Sequence, residues 1–185
     1  MKSIDKAAWL AALEQQVEGH IQQAVERFQN MDETTLSQPS QSGGWSIAQC
    51  LDHLNSYGHY YLPYLKQGLT IQLAKPVTDS VESSWLGNFL TRLMDPETGK
   101  KKFSAVKRHQ PSGAWPAHQV VAEFIDQQEQ LLEVMRQAEK VDINGVQIPL
   151  SIASWLHLPV GDILQFMVAH TERHMVQANR NLASV

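Results

Sequence analysis

The sequence predicts an all-α fold: a four-helix bundle with an irregular insertion between its second and third helices. Three observations point there. Four long segments carry apolar residues at helical spacing. Strand-like alternation is scarce between them. The connections are long enough to cross from one side of a bundle to the other. With 185 residues, 43% hydrophobic and 18% charged, the chain has the size and composition of one globular domain over residues 1–185.

The first helix is expected over residues 5–30, where Trp9, Leu10, Leu13, Val17, Ile21, Val25 and Phe28 form a stripe. The polar run Thr34 to Gly44, with Pro39 and Gly43-Gly44, reads as turn chemistry. Ser46 with Gln49 three residues on is a capping-box pattern, and Trp45 precedes it as a hydrophobic staple. The second helix then carries Ile47, Cys50, Leu51, Leu54, Tyr57, Tyr61 and Leu65 to about Lys66. Pro63 lies inside it and predicts a kink or an early end.

Residues 67–115 form the insertion. Ser84 to Met94 reads as a short helix stopped by Asp95-Pro96. Lys100, Lys101 and Lys102 are either an anion or nucleic-acid contact or a solvated loop. The third helix is expected from Pro116, at the first helical position, to Lys140. Gly145 and Pro149 punctuate a loop, and the fourth helix runs from about Val160 to Leu182.

Composition excludes several function classes. Fifteen Lys and Arg against nineteen Asp and Glu give a net charge of −4, which argues against sequence-independent nucleic-acid binding. Cys50 is the single cysteine, so there is no internal disulfide and no CxxC zinc module. Asp5 and Lys6 interrupt any signal-peptide core. Pro149, Pro159 and Gly145 break the longest uncharged stretch, Ile143 to Gly161, as a membrane span. The expectation is a cytoplasmic protein without nucleic-acid or membrane partners.

Candidate chemistry lies in the histidines. His170 and His174 are four residues apart, so on a helix they differ by about 40° around the axis and about 6 Å along it. Two imidazoles at that spacing can bind one metal ion. They can equally be a surface or structural pair. The HExxH protease pattern fails, because Thr171 follows His170 and Glu172 falls about 200° away. A third ligand must come from another helix. His53, mid-helix between apolar neighbours, is the best candidate, or else a core histidine. His20, His59, His109, His118 and His157 read as solvent-exposed or structural.

With these three histidines in place, the sequence resembles the DinB-like superfamily. Trp45-Ser46 with His53-Leu54 is similar to the family pattern W-S-x-x-E-x-x-x-H-L. Gly161 to Arg180 is similar to the family's closing helix with H-x-x-R-H-x-x-Q. Weaker similarity at Lys102-Phe103 through Pro111 and along helix three extends over nearly the whole chain. The resemblance implies a four-helix bundle of DinB-like type, a three-histidine metal site and a homodimer. It implies a metal-dependent hydrolase or a thiol S-transferase acting with a low-molecular-weight thiol. One departure stands out: Gln49 replaces the family's common Glu and cannot act as a general base.

On this reading His53, His170 and His174 are metal ligands, and the catalytic residues are unknown. Three imidazoles leave a fourth position for water or a small thiol and suit zinc, nickel, iron, cobalt or manganese. Gln177 shares the His170–His174 face and is a candidate to hydrogen-bond a ligand; Gln49 is another. Tyr57 and Tyr60 line either a pocket or the core. Arg173 reads as a helix-surface or dimer contact. The alternative is a non-catalytic metal-binding or scaffold dimer, linked to stress. A pocket reaching the metal distinguishes an enzyme, whereas a fourth protein ligand closes a structural site.

Overall fold

The computed structural model describes residues 4–41, 43–72, 76–97 and 104–182. Its elements run β1 (Ile4–Asp5), α1 (Lys6–Gln23), α2 (Glu33–Ser37), α3 (Ile47–Gln72), β2 (Ser80–Val81), α4 (Trp85–Met94), α5 (Ala117–Ala138), β3 (Gln147–Leu150), β4 (Ala153–Pro159) and α6 (Val160–Leu182). Four long helices make the expected bundle. Helices α5 and α6 each pack on both α1 and α3, so α1 and α3 face each other across the bundle. Lys100, Lys101, Lys102 and Phe103 lie outside the described residues.

The first helix differs from its sequence reading. It stays α-helical to Gln23, then winds as a π turn over Ala24–Phe28, with Gln29 N–H donating to the Ala24 carbonyl at 2.9 Å. The wider turn re-aims the stripe. Ala24 and Phe28 are buried, while Val25 is exposed. The polar run after it is not all turn. Asp32 caps α2 by accepting from Thr35 N–H at 2.9 Å, and α2 buries Leu36. The Glu33 carboxylate on α2 then accepts from the backbone N–H groups of Ala117 and His118, capping α5 from a distance. Pro116 accordingly sits at the cap rather than at the first helical position.

Helix α3 opens on the expected capping box. Gln49 N–H donates to Ser46 Oγ at 3.1 Å, and Ser46 N–H donates to Gln49 Oε1 at 2.9 Å. Pro63 does not end it; the helix continues to Gln72. Pro63 is on the exposed face, where the carbonyl left without its donor meets water.

The described residues of the 67–115 segment carry more regular structure than the sequence suggests. Strand β2 pairs antiparallel with β1, and α4 is capped by Ser84, whose Oγ accepts from Gly87 N–H at 2.9 Å. Buried Asp162 accepts from Ser84 N–H at 3.0 Å, and a Cβ on Gly87 would stand 2.1 Å from Asp162 Cγ, so only glycine allows α4 this close to α6. The segment ends in a single helical turn over Lys107–His109.

The largest correction concerns Ile143 to Gly161. The expected loop is the hairpin β3–β4, with Ile148 opposite Leu158 and Pro149 opposite His157. Ile148 and Leu150 point inward, alternating with Gln147 and Pro149. A two-stranded ribbon has two free edges, so it tolerates a proline that cannot donate to a ladder. The hairpin docks on α3, where Tyr61 Oη accepts from Ser151 N–H at 3.1 Å.

Two apolar clusters result. One joins the bundle helices to the hairpin through Leu65, Leu131, Met135, Ile163 and Leu164. The other gathers Phe28, Leu36, Leu51, Phe124 and Met175. Along α6 the first contributes residues up to Val168 and the second begins at Met175; His170 and His174 lie between. Among the described residues no helix is long and apolar enough to cross a membrane.

Candidate metal centre

His53 on α3 meets His170 and His174 on α6. They are 3%, 4% and 8% exposed. One ring nitrogen from each lies within 4.8 Å of the others, and the Nε2 atoms of His53 and His170 are 3.2 Å apart. Helix geometry makes half of this cluster: His170 and His174 stand one above the other, ring centroids 4.8 Å apart. Packing of α3 against α6 makes the rest, with the His53 ring 5.0 Å from His170 and 4.6 Å from His174.

Two outer contacts fix the protonation pattern. His53 Nδ1–H donates to the His109 carbonyl at 2.6 Å. His174 Nδ1–H donates to Gln177 Oε1 at 3.1 Å. A neutral imidazole with its proton on Nδ1 carries a lone pair on Nε2. Both rings therefore turn acceptor nitrogens inward, the form that binds a metal ion. Burial also keeps these rings neutral. It lowers the pKa of His53, holds His174 at about 3, and with help from neighbouring His174 and His53 takes His170 well below the ordinary value of 6.5. His170 Nε2, 3.2 Å from the His53 lone pair, donates to it when protonated; with its proton on Nδ1 instead, all three neutral rings offer lone pairs to a cation.

Aromatic rings wall the cluster. The Trp45 ring stacks on His174 at 5.7 Å and tilts against His53 at 4.9 Å. Its carbonyl accepts from Asn181 Nδ2 at 2.7 Å, which ties it to α6. Tyr57 stands 4.5 Å from the His170 ring and 5.1 Å from His53, and burial raises its hydroxyl pKa to about 12. A narrow cleft between α3, α5 and α6 reaches this wall at Tyr57 and His170. Tyr60 instead packs on Tyr61 and lies under the Arg108 guanidinium.

Other candidates stand elsewhere. Gln49 uses its side-chain oxygen in the capping box. Arg173 Nη1 donates to the Leu93 carbonyl at the end of α4, so it binds a helix of its own chain. Glu172 pairs with buried His20 at 2.9 Å on another face of α6, away from the three imidazoles.

Sequence reasoning missed the part played by His109. It is 2% exposed, its ring stacks on Tyr57 at 3.9 Å, and its carbonyl orients His53. Ser56 Oγ donates to the His53 carbonyl at 2.6 Å and accepts from His109 Nδ1–H at 2.9 Å. His109 Nε2 is left buried without a hydrogen-bond partner, and burial lowers the ring's pKa to about 4. The only available signal was that His109 is the sole histidine of the 67–115 insertion.

The profile of the DinB superfamily matches residues 16–178. A solved structure aligns at a TM-score of 0.48 with 19% identity, covering 100% of this chain and 93% of its own; it is described as "YfiT from Bacillus subtilis is a probable metal-dependent hydrolase with an unusual four-helix bundle topology". No curated protein matches.

Proposed function

The chain belongs to the DinB superfamily, and from that premise we propose that it is a metal-dependent enzyme, a hydrolase or a thiol S-transferase acting on a small molecule. In this reading His53, His170 and His174 hold one divalent transition metal, and the substrate or a low-molecular-weight thiol takes the remaining position. The observation that carries it is the convergence of three buried, neutral imidazoles, with no fourth ligating side chain in the group among the described residues. A three-nitrogen donor set suits zinc, nickel, iron(II), cobalt or manganese. Such an ion, when bound, supplies Lewis acidity that brings water to a pKa of ~7 or holds a thiol as thiolate at neutral pH.

The chain's own residues prepare that chemistry. The His109 carbonyl and Gln177 Oε1 hold two ligands in the required tautomer. Trp45 and Tyr57 exclude bulk water from the imidazoles, which strengthens every electrostatic interaction inside. Gln49 can serve as no general base, so proton transfer falls to the substrate, the thiol or water.

Elemental mass spectrometry on untagged protein tests the reading. About one transition metal per chain in wild type, lost in His170→Ala, is the expected result. No metal in either protein after incubation with zinc or nickel overturns it and leaves a non-catalytic scaffold.

A further inference from the structure

The three imidazoles are closed off from solvent. None is more than 8% exposed. The cleft that ends at Tyr57 and His170 has a volume of about 10 Å³, room for one water. A thiol or a substrate is larger than that. It reaches the imidazoles only if part of the wall moves.

Among the described residues three aromatic rings meet the imidazoles from outside, and they differ in freedom. Tyr57 lies within α3, enclosed by the rings of His53, Tyr61, His109, Phe166 and His170. Phe166 lies within α6, is 8% exposed and stacks on His170. Helical backbone confines χ1 of both, and dense packing fills the space into which each would turn. Trp45 is different. It precedes the cap of α3, outside any helix, and part of its side chain already meets water. Its ring covers His174 and His53.

The backbone at this point is held. The Trp45 carbonyl accepts from Asn181 Nδ2 at 2.7 Å, and Ser46 is locked into the capping box. Opening is therefore a rotation of the indole about χ1 and χ2 rather than a movement of the chain. We propose that Trp45 is the gate of the histidine cluster: its indole swings outward to admit a small molecule and closes over His53 and His174 behind it. The inference rests on the proposed metal centre for what the gate serves, and on the packing alone for where it opens. Turning the indole outward exposes apolar surface, so the closed form dominates and the open one is a minor state.

Carbethoxylation tests it, because diethyl pyrocarbonate must reach an imidazole nitrogen to modify it and is too large for the cleft. Full-length protein is treated without metal, and each histidine is followed by peptide mass spectrometry. His59, exposed on α3, is the accessible reference, and His20, 1% exposed on α1, is the buried one. In wild type His174 should react at least about tenfold more slowly than His59, as expected when the open form is minor. Trp45→Ala should raise the rate at His174 relative to His20 by about tenfold, and Trp45→Phe by a smaller factor. Taking the ratio to His20 removes any general loosening of the fold. A wild-type His174 that reacts as fast as His59 overturns the gate. So does a His174-to-His20 ratio that stays at the wild-type level in both variants. Cobalt(II) added before the reagent should protect His174 in all three proteins. Reactivity unchanged by cobalt overturns the metal reading instead, and the ratio in metal-free protein still decides the gate.

Discussion

Along α3 the stretch from Tyr61 to Leu69 and the stretch around His53 are both buried, and different forces hold them. Leu62, Leu65 and Leu69 face Leu131, Met135 and Ile148 in an apolar cluster that is complete as it stands. Its stability comes from apolar area removed from water and from dense contacts. Two to three turns earlier, His53 meets two other imidazoles, and polar atoms are left over. Asn55 Oδ1, His109 Nε2 and Gln128 Oε1 are all buried without partners in or beside this layer. The difference teaches where the molecule is finished and where it awaits something else. A packed cluster gains little from a ligand; a layer of inward lone pairs and empty acceptors can gain a great deal.

The comparison breaks most visibly at Leu65. Leu65→Ala should cost about 3–4 kcal/mol by urea unfolding, through lost burial and the cavity left behind, with metal per folded chain unchanged. A cost below about 1 kcal/mol would mean that the cluster is loosely packed. The histidine layer should answer oppositely. At a free zinc concentration 100 times the dissociation constant, wild type should gain about 2.7 kcal/mol of stability and His170→Ala none, read from melts with and without zinc.

Acid sharpens the contrast next. His174 has a folded pKa of about 3 against 6.5 for an ordinary histidine, so between those values the unfolded chain binds a proton that the fold refuses. Stability therefore falls as pH drops below 6.5, by about 2 kcal/mol at pH 5 from this group alone. His109, at about 4, adds to the same loss down to that pH. Metal-free protein unfolded in urea across pH 7 to 4.5 should show it; a flat profile would show that the rings are solvated. Smallest is Gln49→Ala, which removes half of a capping box. It should cost about 1 kcal/mol of stability and leave metal content at wild-type level. A drop in bound metal would place Gln49 in the site after all.

The sequence by itself determined the helical frame and the His170–His174 pair; the packing of α3 on α6 decided that His53 joins them. Stripes such as Leu10, Leu13 and Val17 depend only on the pitch of a helix, and so does the pairing of His170 with His174. The Ser46–Gln49 cap was legible because its partners are three residues apart, and the extent of α6 because Pro159 and a helical apolar stripe mark it. The tertiary structure decided everything that depends on partners far along the chain. The π turn at Ala24–Phe28 re-aims a stripe that an even helical pitch places one residue off. Leu36 is buried in α2, within a run whose composition reads as turn. The β3–β4 hairpin was hidden by Pro149 and Pro159, which read as punctuation until a two-stranded ribbon with free edges accommodates them. His109 reaches His53 across 56 residues, through a backbone carbonyl that every residue type possesses. Gln128 became an empty acceptor only when α3, α5 and α6 closed around it. Local periodicity is set by backbone geometry and is written in residue order; a buried group's satisfaction is set by whatever the completed packing brings within hydrogen-bonding distance.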